Sequence, residues 1–69
     1  MIANDTELKG TQERITYFQN LLSQMRITTT PQEFPFMASG YRAEIERMHA
    51  EVMEYLMRHV SAPLPANAG

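Results

Sequence analysis

The spacing with the sharpest chemical content in this chain is Glu46-Arg47-Met48-His49, which sets a carboxylate and an imidazole three residues apart. On a helix that places two metal ligands on one face, as in four-helix proteins that hold two metals between carboxylates and histidines. Glu13 would supply the missing carboxylate. If the chain reverses near Thr30, Glu13 lies 17 residues before the turn and His49 lies 19 after it, so the two sit at similar heights. A dimer would then bring together two first-helix glutamates and two such motifs. The helical phase opposes this, because Glu13 falls between Thr11 and Ile15, off the apolar ladder, and Glu46 follows Ile45 on the outward side. The expected role of His49 is at the edge of an interface. His59 is placed to meet the C-terminal dipole or the last carbonyls of a second helix.

No other arrangement names a reactive group. Tyr41, Tyr55 and His59 share a flank without a carboxylate to orient the imidazole, and Ser23, Ser39 and Ser61 have no base at a recognisable spacing. The chain has no cysteine, which removes disulfides, thiolate metal sites and a thiol nucleophile together. Phosphate loops, dinucleotide fingerprints and internal repeats are also absent from the sequence. The expectation is a non-enzyme with no assigned catalytic, cofactor-binding or metal residue.

Two apolar ladders must position whatever function there is. Leu8, Ile15 and Leu22 recur every seventh residue with Thr11, Phe18 and Met25 interleaved; Tyr41, Ile45, Met48, Val52 and then Tyr55 or Leu56 repeat the pattern after a break. Asn4 with Glu7 resembles a capping box, so helix one is predicted over about 5–26, with Gly10 loosening its first turns. Residues 27–38 are predicted as a connector. Three threonines and Pro31 oppose helix there, Thr30-Pro31-Gln32-Glu33 is a helix-start signal, and Pro35 threatens to stop the first turn. Phe34, Phe36 and Met37 are expected to plug the open end of the hairpin. A short helical or irregular piece is expected over 31–38, and helix two is predicted over about 39–60, its start falling between Pro35 and Gly40 with Ser39-Gly40 as one candidate restart. Residues 1–61 then form one domain and 62–69, with Pro63 and Pro65, a flexible tail.

The fold class expected is all-α, an antiparallel two-helix hairpin that dimerises into a four-helix bundle. His49, Met53, Leu56 and Val60 widen the apolar face of helix two beyond what helix one can cover, and a chain of 69 residues without staples is marginal as a monomer. The function expected is a small self-associating interaction or assembly module, a homodimer that presents its surface to another protein. The six methionines suit adaptable packing, with Met57 the best placed for outside contact.

A helical regulator of nucleic acid using Arg42 and Arg47 is the alternative. It is disfavoured by a formal charge of −2, by scattered arginines and by Glu44, Glu46 and Glu51 among them. No apolar run reaches the length of a membrane span, and Met1-Ile2-Ala3-Asn4-Asp5 lacks the basic and apolar regions of a signal peptide, so a cytoplasmic location is expected.

Overall fold

A computed structural model describes residues 1–59. They form two α-helices, α1 (Asp5–Thr28) and α2 (Phe34–Leu56), folded back on each other. The antiparallel pairing is read directly from its contacts. Phe18 and Tyr41 have ring centroids 5.6 Å apart near the turn, and the Tyr55 hydroxyl donates to Asp5 Oδ1 at 2.6 Å at the far end.

The start of α1 follows from its caps. Asn4 is extended and its Oδ1 accepts the Glu7 N–H at 2.9 Å, while the Glu7 carboxylate reaches back to the Ala3 N–H at 2.8 Å. This is the expected reciprocal cap with its return bond one residue earlier. Asp5 and Glu7 in the first turn and Arg26 in the last complement the helix dipole.

The end of α1 falls two residues beyond the predicted position. Thr11, Thr16 and Thr28 each donate their hydroxyl to the carbonyl four residues back, at 2.9, 3.1 and 3.2 Å, which lets these β-branched residues sit within the helix. Termination comes at Thr29, whose backbone turns extended while its hydroxyl and N–H both go to the Met25 carbonyl. Thr30 precedes proline and is biased away from helix as well.

The connector is therefore residues 29–33, not 27–38. The Thr30 hydroxyl accepts the Glu33 N–H at 3.2 Å and donates to Glu33 Oε1 at 2.8 Å, and the Thr30 carbonyl accepts the N–H groups of Glu33 and Phe34. The bonds between Thr30 and Glu33 form as the spacing predicts but close a turn over 31–33 rather than the first turn of the helix, and α2 begins at Phe34 with Glu33 as its N-cap. Pro35 does not break it. In the first turn an N–H has no intrahelical acceptor, so proline forfeits nothing there. Gly40 lies within the continuous helix, with no positive φ, and Ser39-Gly40 is no restart.

Starting the helix early changes where its first side chains go. Phe34 is half-buried, but Phe36 is 83% exposed and Met37 is 46% exposed, so neither plugs the hairpin. At the other end α2 stops at Leu56, with the Met57 N–H bonded to the Met53 carbonyl, short of the expected Val60. Val60 and the expected tail over 62–69 lie outside the described residues.

The core is the seam between the ladders. Ile15 from α1 and Ile45, Met48 and Val52 from α2 are buried, Met48 at 1% exposure, with Leu8, Phe18, Leu22 and Tyr55 packed around them. Ile2, ahead of α1, completes the cluster. It is held against the end of α2 by the Met1 ammonium 3.9 Å from Glu51 and by Arg58 at 3.5 Å from the Ile2 carbonyl. Of the two candidates for the last rung of the α2 ladder, Tyr55 packs inward and Leu56 is 53% exposed. Because Met48 fills the centre of this seam, Met48→Ala is expected to lower the unfolding free energy by about 2–5 kcal/mol. Urea denaturation followed by circular dichroism checks this; an unchanged midpoint would show that the centre of the seam lies elsewhere.

Candidate functional site

Where α1 approaches the turn and α2 leaves it, the helices do not close over each other. Ala38 is too small to fill the space beside Leu22, and the result is an open groove of about 600 Å³ with Leu22, Phe34, Pro35, Ala38 and Ile45 on its walls. Gln19, Arg26, Ser39, Arg42 and Glu46 form its polar border. Along α2 the same flank continues through His49 to Met53 and Leu56 at helical spacing, all three exposed.

The chemistry available in this groove is apolar contact with a charged edge. Its serine is engaged, since the Ser39 hydroxyl donates to the Phe36 carbonyl at 3.0 Å. Arg42 Nε lies 3.4 Å from Glu46 Oε2, an exposed ion pair along the helix. On the opposite flank of α2, Arg47 bridges Glu44 and Glu51, the latter at 2.6 Å. The hydrogen bond from Arg47 holds the Glu44 carboxyl below the usual range against a smaller opposing effect of burial, with the charges of Arg47 and Arg14 adding to it. The same hydrogen bond raises the Arg47 guanidinium.

Within the chain Glu46 and His49 keep to one flank of α2, and Glu13 stands apart from them. Glu46 is exposed and paired with Arg42, His49 is exposed on the open flank, and Glu13 lies on the outer surface of α1 beside Lys9, Gln12 and Thr16. Among the described residues no group of three or more His, Cys, Asp or Glu side chains converges as metal ligands would. His59 lies three residues past the end of α2 and is exposed. Arg42 and Arg47, the residues on which nucleic-acid binding would depend, are both occupied by carboxylates of their own helix.

Two features escaped the sequence reading. Ile2 belongs to the core although it precedes the periodic segment, and the groove opens where residues 34–38 read as part of a short helical or irregular connector. The signal for the groove was the run of small residues Ala38, Ser39 and Gly40 after the aromatic pair. The chain was compared with protein-family models, curated proteins and solved structures, and none matches it. Among the described residues no helix is long and apolar enough to cross a membrane.

The bond that closes the hairpin opposite the groove has a measurable signature. Asp5 raises the Tyr55 phenol above its ordinary value, first through the hydrogen bond and then through burial and the carboxylate charge, with Arg58 opposing. A phenol raised on folding favours the folded state while protonated. That contribution is fully present below the ordinary tyrosine value of about 10 and is lost as pH climbs through the raised one. Asp5→Ala is expected to lower the Tyr55 titration midpoint, read by phenolate absorbance in a variant retaining Tyr55 as its sole tyrosine.

Proposed function

We propose that this chain is a self-associating helical assembly module, a homodimer that completes a four-helix bundle, and not an enzyme. A cytoplasmic setting belongs to the same reading. The observation that carries it is the uncovered flank of α2: the groove at one end and exposed Met53 and Leu56 at the other lie along one side of a helix whose opposite flank is lined with ion pairs.

Domains are stable when packed elements enclose a core between layers. Here two helices form one layer, with five apolar side chains buried among the described residues. Oligomerisation is one of the ways in which a core this small gains further stability. A second hairpin laid on the open flank would bury what the first leaves exposed, and the exposed methionine Met53 can adjust to an imperfect fit. The bundle would then offer its charged outer flanks, including the Glu44, Arg47 and Glu51 cluster, to a further protein.

Sedimentation equilibrium across a wide concentration range tests the reading. A mass of two chains is expected, falling toward one on dilution. Met53→Glu is expected to raise the dissociation constant at least tenfold while the isolated hairpin keeps its helicity, because the carboxylate would be desolvated on association without a partner. A single-chain mass at every concentration would overturn the proposal.

A further inference from the structure

Resting on the self-association reading, we infer that the second copy docks antiparallel, α2 on α2 and α1 on α1, so that Met53 of each copy enters the groove of the other. An exposed stripe on α1 lies beside the seam, and its Asp5 also accepts the Tyr55 hydroxyl within the hairpin. Asp5, Gln12, Gln19 and Arg26 recur every seventh residue and are all exposed, and Gln19 and Arg26 border the groove. Seven residues are close to two helical turns, so the four share one side of α1.

This stripe is complementary to itself when reversed. A two-fold axis across the helices at the level of Ile15 and Thr16 sets Asp5 of one copy against Arg26 of the other and Gln12 against Gln19, each pair occurring twice. A parallel pairing sets Asp5 against Asp5 and Arg26 against Arg26. Closed two-fold interfaces require such reciprocal contacts, residue i with j and j with i.

The same axis also suits α2. Phe18 stands beside Tyr41 and Asp5 beside Tyr55, so the middle of α1 is level with Glu44. An axis there places Arg42 opposite Glu46 of the second copy, joining the two intrahelical ion pairs into a cluster of four alternating charges. It places Met53 opposite Pro35, at the wall of the groove next to Phe34 and Ala38, and Ser39 opposite His49. The area is adequate. A face about 36 Å long and two helices, or about 20 Å, wide covers about 700 Å² on each copy, roughly 1,400 Å² in all, within the range of stable interfaces.

Charge reversal tests the pairing. Arg26→Asp is expected to weaken the dimer about tenfold, and adding Asp5→Arg in the same chain is expected to restore it. The two positions are about 32 Å apart along α1, beyond the screening length, so the rescue can only act between copies. Because Asp5 also accepts the Tyr55 hydroxyl, a second experiment leaves it untouched: Ser39→Cys chains are mixed with His49→Cys chains and oxidised. Cross-links between the two kinds of chain are expected. Ser39→Cys chains should not link to each other, since antiparallel packing holds those positions about 15 Å apart, beyond disulfide reach.

A dimer showing no rescue together with Ser39→Cys self-linking would overturn the antiparallel docking and leave self-association standing. A monomer at all concentrations would overturn both and assign the groove to a different chain. Dimerisation that occurs only after removal of residues 60–69 would assign the groove to that segment and overturn this docking.

Discussion

Two helices bury only the strip along which they touch, and every other feature of this hairpin follows from how that strip is used. Met48 occupies its centre, with Ile15, Ile45 and Val52 around it, and the remaining apolar residues are arranged by their angle from this line. Tyr55 and Leu56 are adjacent in sequence, yet one packs on the core and the other is more than half exposed, because one residue turns a helix by about 100°. The α2 ladder is wider than the strip. What remains uncovered on one flank becomes the groove and the Met53–Leu56 patch, while the other flank carries the ion pairs of Arg47.

The two ends of the seam are closed by different means. Beyond the far ends of the helices, Ile2 fills the gap, with Tyr55 and Asp5 joined by a hydrogen bond and Arg58 5.6 Å from the Tyr55 ring centroid. At the turn, the five residues 29–33 are tied by Thr30 and Glu33, but Ala38, on the second turn of α2, is small and leaves the space beside Leu22 open. The groove is therefore a consequence of composition at Ala38 and of the early start of α2, which points Phe36 outward.

Much of the fold was legible because capping and periodicity act over a few residues. Asn4 with Glu7, and Thr30 with Glu33, form the bonds their spacing predicts, and the ladders from Leu8 to Leu22 and from Ile45 to Val52 contribute the core and its packed border. The errors occurred where two local signals competed. Thr28 and Pro35 are poor residues for a helix interior, but Thr28 satisfies its hydroxyl on the preceding turn and Pro35 occupies a first turn where its missing N–H has no consequence. The metal motif was weakened by its phase in the sequence, and the structure places Glu13 on the outer surface of α1 while Glu46 borders the groove paired with Arg42.

The amino-acid sequence by itself determined that the chain is helical, that it reverses near Pro31, and which ladder of each helix is apolar. These depend on hydrogen bonds and side-chain spacings within a turn or two of helix. Only the tertiary structure decided which part of the wide α2 face is covered, that Ile2 joins the core, and that a groove remains between Leu22 and Ala38. Those outcomes depend on the rotation and level of one helix against the other, which are set by packing between residues twenty to fifty positions apart and are encoded in no local stretch of the chain.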